Sequence, residues 1–479
     1  MKTENKPTIT LTADQKKAFE SVKMFMNSYE RVFILKGYAG TGKTTLIKEV
    51  LSHFDEHETR YRLLASTGRA AKILSDITGC VASTIHSMIY KFDDFNQDLD
   101  QIVKEREKHG VDKSGQLFLQ FNLVGRDNIE DDETCYYIVD ESSMIADTED
   151  KSIKQASFGS GRLLTDLLSY DPQGKFIFVG DDYQLPPVKL TFSPALSFDY
   201  FKDEHKIQPY GATLSKIMRQ CDNNDIIQAS FNIRKKAQKF VRMKWGKLPL
   251  RGYKHIKLYS SSYALMNAYV DYIRKDGLSD VTMLCSSNKT CGEIADLIRP
   301  FLGRKGEVQV GDLLLVTQNN VSGLMNGDLV VVTQKTASVE HRANLTFRKV
   351  EVKELGSGDC YSRFIIEDII YDNSLNLSTA AQKELFIDFH IRMKKAGFKQ
   401  NSEVYQNAMR DDPYLNAIRA VYGYGLTCHK AQGGEWNNVF IHLKRNFTLE
   451  ATPATYQWLY TAITRAKVQL HITNDFYIE

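Results

Sequence analysis

Val32-Phe33-Ile34-Leu35-Lys36-Gly37-Tyr38-Ala39-Gly40-Thr41-Gly42-Lys43-Thr44-Thr45-Leu46-Ile47 decides the fold. Val32–Lys36 is an apolar, β-branched and aromatic run of the kind that forms a buried parallel strand. A glycine-rich loop follows, and Thr44-Thr45-Leu46-Ile47 opens a helix. Strand, loop and helix in that order are the context a phosphate-binding loop requires. The glycines let successive backbone N–H groups curl around phosphate oxygens, and the helix N-terminus adds a favourable dipole. Gly37, Ala39, Gly40, Thr41, Gly42, Lys43, Thr44 and Thr45 are therefore read as the cradle of a nucleoside triphosphate such as ATP. Lys43 is placed to reach the β- and γ-phosphates, and the Thr44 hydroxyl to bind Mg²⁺.

Working outward, Tyr136–Val139 reads as a second strand and ends in Asp140-Glu141. Asp140 is placed to hold Mg²⁺, and Glu141 to polarise an attacking water. A third strand, Phe176–Val179, runs into Gly180-Asp181-Asp182-Tyr183-Gln184-Leu185-Pro186-Pro187, where the Gln184 amide can sense a γ-phosphate and the prolines stiffen the turn. Further strands at Val281–Cys285 and Val439–Leu443 alternate with helical patterns at Thr44–Phe54, Arg69–Thr78 and Arg162–Leu168. That alternation predicts a doubly wound α/β architecture with ligands at the carboxyl ends of the strands.

The 479 residues suggest roughly three domains at about 150 residues each. A 42% apolar and 25% charged composition is that of a globular chain with large cores, and a net charge of +3 decides little about partners. The seven cysteines are scattered without a C-x-x-C pair, which favours neither zinc nor disulfides and points to a reducing cytoplasm. Met1–Thr8 lacks the apolar core of a signal peptide, and no run approaches the ~20 apolar residues of a membrane span.

Two stretches break the α/β pattern. Tyr90–Glu133 is polar and charge-rich, with one strand expected at Gln116–Val124. Gly311–Arg419 reads as a small β-barrel, with strands at Leu313–Thr317, Leu329–Thr333, Leu345–Lys353 and Phe364–Tyr371, followed by a helical excursion at Ala380–Phe398.

The order of these motifs resembles the superfamily 1 helicases of the 5′-to-3′ branch, RecD/Dda type. Gln15, in Leu11-Thr12-Ala13-Asp14-Gln15, resembles the glutamine that reads adenine in that family. Ala65-Ser66-Thr67-Gly68-Arg69-Ala70-Ala71-Lys72 and Ser83-Thr84-Ile85-His86-Ser87 resemble two of its DNA-contacting motifs. Met218-Arg219-Gln220 resembles the motif whose arginine meets the γ-phosphate. Gly425-Leu426-Thr427-Cys428-His429-Lys430-Ala431-Gln432-Gly433-Gly434-Glu435 is similar to the coupling motif. Leu459–Lys467 is similar to the last motif, in which Arg465 takes the place of the arginine finger.

The resemblance implies two RecA-like P-loop lobes, the first at 1–89 and 135–205 and the second at 206–310 and 421–479. A strand-separating pin falls at 90–134, and an SH3-like barrel with a helical tower at 311–420. It further implies catalytic roles for Lys43, Glu141, Gln184, Arg219 and Arg465, and nucleotide contacts from Gln15 and Glu435. Ser66, Thr67, Thr84, His86, Thr427 and His429 are the expected DNA-facing groups, since short hydroxyl and imidazole side chains hold a phosphate backbone without reading bases. Single-stranded and forked duplex DNA, ATP and Mg²⁺ are the implied ligands. A single-strand-binding protein or replisome component is an implied partner, and replication, repair or recombination in a bacterial or phage-infected cell an implied setting. A monomer suffices for the ATP site in this family.

Some alternatives stand open. Phe118 and Phe121 are candidates for the duplex wedge, or core residues of a strand. Arg234–Lys254 carries nine basic residues and no acidic ones, with Phe240, Trp245 and Tyr253 interleaved. That reads either as a stacking platform for single strands or as a solvated basic face. A P-loop kinase or GTPase would not need distant arginines or a barrel. A binding protein with a vestigial site would not need Lys43, Asp140-Glu141 and Arg465 together. Remodelling of protein–nucleic acid complexes and action on RNA remain the other motor readings.

Overall fold

Val32–Gly37 is buried at five of its six positions, because it is flanked by strands on both sides and covered on both faces. It pairs in parallel with Lys175–Gly180 (Val32 opposite Phe176) and with Tyr210–Leu214 (Phe33 opposite Tyr210). The full sheet is parallel and six-stranded, in the order Ala82–Thr84, Tyr61–Ala65, Tyr136–Asp140, Lys175–Gly180, Val32–Gly37, Tyr210–Leu214. All-parallel sheets must be covered on both faces, and two separate apolar clusters do this. One is centred on Phe25, Leu46, Leu51 and Phe54, the other on Ile85, Leu164, Phe178 and Phe201. The structure, a computed structural model, describes residues 10–110, 114–126, 134–149, 155–216, 225–239, 246–319, 323–400, 402–444 and 452–479. The first lobe therefore runs past the boundary expected at 205, because Tyr210–Leu214 completes its sheet.

The second lobe carries a five-stranded parallel sheet in the order Ile256–Tyr259, Ala466–Thr473, Trp436–His442, Val281–Cys285, Leu426–Thr427. Helices Ile226–Gln238, Ser262–Asp276, Asn288–Phe301 and Pro453–Ile463 accompany it. Its core is continuous with that of the region inserted after residue 311.

That insertion is antiparallel, as expected from its Gly- and Asn-rich turns. Leu345–Glu354 pairs with Leu329–Lys335 and with Cys360–Ile366, and Leu313–Val316 with Leu329–Lys335 and Ala420–Tyr422. A bridge between Ile365 and Ile418 brings the last strands of this path together, so the sheet curls back on itself. The strand expected at Phe364–Tyr371 stops at Ile366. Glu367–Tyr371 is helical instead, and its Glu367 carboxylate accepts from Arg348 Nε at 2.5 Å in the buried core. The helical excursion spans Thr379–Lys395, followed by Glu403–Asp411.

The first insertion holds more order than its polarity suggested: strands Tyr90–Phe95 and Leu119–Leu123 flank the helix Leu99–His109. Ala156–Phe158, a later segment, joins as the third strand. The two insertions share one apolar core. Phe95, Leu99, Ile102, Val103 and Leu117 from the first meet Phe386, Ile387, Phe389 and Tyr405 from the second. Arg106 adds a two-pronged pair to Glu384 at 2.8 and 2.7 Å. Among the described residues no helix is long and apolar enough to cross a membrane.

Phe386 is buried in this shared core against Phe95, with ring centroids 5.0 Å apart. Phe386→Ala is expected to cost about 3–5 kcal/mol locally. In hydrogen exchange, amides of 99–109 and 379–395 should lose protection together while the Val32–Gly37 strand keeps its own. Protection lost in only one helix would show that the two insertions do not fold as one unit.

Candidate functional site

The phosphate loop is set by its glycines. Gly40 and Gly42 have φ of 76° and 78°, the left-handed region that only glycine enters freely. A Cβ on Gly37 would lie 2.8 Å from both Lys43 Cγ and Thr41 Oγ1, so a side chain there would fill the cradle. The Lys43 ammonium donates to the loop's own carbonyls, Gly37 O at 2.8 Å and Tyr38 O at 3.3 Å. Thr44 and Thr45 occupy the first turn of the helix Lys43–Glu56. These features fit a triphosphate: backbone donors lie at a helix N-terminus, and a cation is held on weak partners it can leave.

Asp140 ends its strand and Glu141 begins a one-turn 3₁₀ segment at Ser142–Met144. Glu141 sits at φ 50°, ψ 40°, a strained conformation for a non-glycine residue and one that turns its side chain out of the strand direction. Burial and the neighbouring Glu141 carboxylate push Asp140 up to about 6, with Lys43 opposing them. A bound cation reverses such a shift. Burial also raises Asp181, against the pull of Lys43 and of a hydrogen bond from Tyr460. Gln184 is 3% exposed and its Oε1 is buried without a hydrogen-bond partner, an acceptor fit to orient a water.

The loop carrying Gln184 is gripped by the second lobe. Leu185 N–H donates to Thr461 Oγ1 at 3.0 Å, and Leu185 O accepts from Gln432 Nε2 at 3.2 Å. His429 makes a further hydrogen bond to the Pro186 backbone; burial nevertheless lowers its pKa and keeps the ring neutral near pH 7. Tyr460 donates to Asp181 Oδ2 at 2.6 Å, and its oxygen accepts from the phosphate-loop N–H of Ala39 at 3.1 Å. Asp181, Gln432, Tyr460 and Thr461 all lie inside motifs recognised in the sequence, yet were not singled out there. Their polar side chains amid apolar neighbours were the available signal.

Other expected residues lie elsewhere. The Arg465 guanidinium is buried on Thr461 O, Gly434 O and Thr464 Oγ1, all from its own lobe. Glu435 lines a small crevice with Arg69 and Trp436, away from the phosphate loop. Gln15 is buried in a capping box with Thr12 and donates to Gly42 O at 3.1 Å, which ties the helix Ala13–Met26 to the loop. Arg219 lies outside the described residues, as do Phe240 and Trp245 of the basic stretch. From that stretch Arg234 is turned inward, and Tyr253 accepts from Asn232 Nδ2 at 2.7 Å.

The DNA-facing candidates of the first lobe share one edge. Thr67 caps the helix Gly68–Thr78, and Thr84 caps Ile85–Ile89. His86, whose pKa burial lowers, packs against Tyr90 and Phe158. Ser66 Oγ is buried and unpartnered. This edge lies beneath the antiparallel insertion: Arg69 reaches Gly327 O and the Trp436 ring, Lys72 pairs with Glu354, and Gly68 leaves room for Met325. Thr427 lies on the second lobe, at the carboxyl end of Leu426–Thr427. Phe121, half-buried like Phe118, stacks on Phe158 with centroids 4.7 Å apart and packs against the first-lobe core.

The AAA domain family matches residues 10–246, and the UvrD-like helicase C-terminal domain matches residues 422–473. The ATP-dependent RecD2 DNA helicase of Deinococcus radiodurans is 28% identical over 203 residues, which are 42% of this chain and 22% of that protein. The ATP-dependent DNA helicase Dda of Enterobacteria phage T4 is 41% identical over 80 residues, 16% of this chain and 18% of that one. The chain thus spans under a quarter of either relative. The RecD subunit of the RecBCD enzyme of Buchnera aphidicola is 21% identical over 98% of this chain and 75% of its own. Among solved structures, Bacteroides Pif1 bound to single-stranded DNA shares the fold at a TM-score of 0.50, with 15% identity, over 98% of this chain and 93% of that one. Matched at both ends by these two families, and with Tyr460 of the second lobe hydrogen-bonded to the phosphate-loop N–H of Ala39, the chain carries an AAA domain and a UvrD-like helicase C-terminal domain and is similar to the superfamily 1 helicases of the RecD/Dda type.

Proposed function

We propose that this protein is an ATP-dependent DNA helicase that moves 5′ to 3′ along single-stranded DNA and unwinds forked duplexes. The observation that carries the reading is the grip of the second lobe on Leu185 and Pro186, one residue beyond the phosphate-facing Gln184. Through that grip a change at the phosphates moves the lobe that carries Thr427 and His429. One copy of the chain supplies both sides of the cleft, which supports a monomeric motor.

In the proposed cycle Lys43 leaves Gly37 O and Tyr38 O for the β- and γ-phosphates. Thr44 and Asp140 would hold Mg²⁺, which supplies charge neutralisation across those oxygens. Glu141 accepts a proton from the attacking water, and Gln184 Oε1 fixes that water's orientation. Arg219 and Arg465 are second-lobe candidates for stabilising charge in the transition state, and Arg465 must first exchange its carbonyl partners for phosphate. Lobe closure and opening then alternate the hold of Ser66, Thr67, Thr84 and His86 against that of Thr427 and His429 on the strand. The β-rich insertion serves as an SH3-like barrel, and the strands with the helix Leu99–His109 as a pin braced by the tower. Phe118 is the candidate wedge. Replication, repair or recombination, with a single-strand-binding protein nearby, is the proposed setting.

ATP hydrolysis measured with and without single-stranded DNA tests the reading, and absence of stimulation would sink it. Lys43→Ala should abolish turnover. Glu141→Gln should bind ATP and DNA yet turn over at least ~10²-fold slower. Forks bearing only a 5′ tail should be unwound in preference to forks bearing only a 3′ tail; the reverse preference would refute the polarity.

Asp140 also has a pH signature. Its folded pKa is raised, so its contribution to stability is complete below the ordinary value of 3.8 and is lost as pH rises through about 6. Asp140→Asn should flatten that decline in thermal unfolding of the nucleotide-free protein. An unchanged slope over that window would show that Asp140 does not titrate there.

A further inference from the structure

Arg234 lies on the buried face of the helix Ile226–Gln238, among Ile226, Ala229, Ser230 and Ile233. It is 7% exposed, and its Nε is buried without a hydrogen-bond partner. What holds it is aromatic: the guanidinium carbon lies 3.4 Å from the ring centroid of Tyr38, 4.8 Å from that of Phe231 and 5.7 Å from that of Tyr183. A buried cation with an unused donor is costly unless an anion completes it.

Tyr38 is the second residue of the phosphate loop, and Tyr183 precedes Gln184, so a second-lobe cation rests on first-lobe residues at both sides of the candidate site. The same end of the loop holds the Ala39–Tyr460–Asp181 hydrogen bonds. Asp181 and Gln184 follow the end of the strand Lys175–Gly180, and Lys43 is near enough to Asp181 to oppose the rise in its pKa. Arg465, the arginine expected there, is committed to carbonyls of its own lobe.

We propose that Arg234 is a second-lobe residue that recognises the γ-phosphate, held on the Tyr38 ring in the nucleotide-free protein and transferred to phosphate oxygens when a triphosphate is bound. The planar fork suits this exchange, since guanidinium stacks on an aromatic face as readily as it chelates phosphate. Discrimination of ATP from ADP then lies partly in the second lobe, and the transfer couples the helix Ile226–Gln238 to the nucleotide. This inference rests on the reading of the cleft as an ATP site.

Competition binding on the full chain with Mg²⁺, using a non-hydrolysable ATP analogue and ADP as the two competitors, tests it. Arg234→Gln should weaken the triphosphate analogue by at least ~10-fold and ADP by less than ~2-fold, as expected for loss of a charge-assisted contact to one phosphate. Arg234→Lys, which keeps the charge and loses the fork, should fall between the two. Thermal unfolding checks that each variant is folded; should Arg234→Gln not fold, the lysine variant decides. Equal losses for both nucleotides, or an unchanged ratio in the decisive variant, overturn the assignment. Failure of the wild-type chain to bind either nucleotide would instead overturn the ATP-site reading.

Discussion

The backbone of one residue, Leu185, is held on both its N–H and its carbonyl by the second lobe at the candidate site. Its N–H donates to Thr461 and its carbonyl accepts from Gln432, both across the cleft and both buried. A buried main-chain group without a partner costs about 1–3 kcal/mol, so the lobes cannot slide apart at this point without replacing both bonds. Gln184 immediately before and Pro186 immediately after are thereby fixed relative to the second lobe. The rest of the site inherits its geometry from that constraint.

Around it the polar groups are held short of satisfaction. Gln184 Oε1, Gln432 Oε1 and Arg234 Nε are buried without partners, and Glu141 keeps a left-handed backbone. Burial together with Glu141 raises Asp140, and burial raises Asp181. A stable core would have removed these costs; a site that binds charged ligands retains them, because the ligand relieves them. The two insertions are joined differently, by the apolar core built from Phe95, Phe386 and Phe389. The two lobes are thus linked by polar contacts at the nucleotide cleft, by hydrophobic contacts at the insertions, and by the contacts of Arg69 and Lys72 with Gly327, Trp436 and Glu354.

Much of the fold was legible because parallel strands buried on both faces leave an unmistakable apolar run. Val32–Gly37, Tyr136–Asp140 and Val281–Cys285 lie within a residue of their expected bounds. Tyr210–Leu214 was missed because Tyr-Gly-Ala-Thr-Leu is largely exposed at an edge and carries little apolar signal. Phe364–Tyr371 was read as one strand because Phe-Ile-Ile and Ile-Ile-Tyr suit a strand and a helix equally, and the Arg348–Glu367 contact that accompanies the switch is a tertiary event. In the site, the glycine loop and the acids were readable from chemistry alone. The positions of Arg465 and Arg234 were not. Which of two arginines reaches across a cleft depends on packing, and composition placed Arg234 in a basic stretch that read either as a stacking platform for single strands or as a solvated face.

The central claim is that nucleotide and DNA change the relation between the lobes through the Leu185 contacts. Distance measurement between labels at Val81 on the first lobe and Tyr263 on the second, both exposed, addresses it directly. The account predicts a distance shift on adding a non-hydrolysable ATP analogue with single-stranded DNA, reversed on exchange for ADP, and lost when Thr461→Val and Gln432→Leu are combined. A distance that stays the same in all nucleotide states, or that shifts equally without those two side chains, would contradict it.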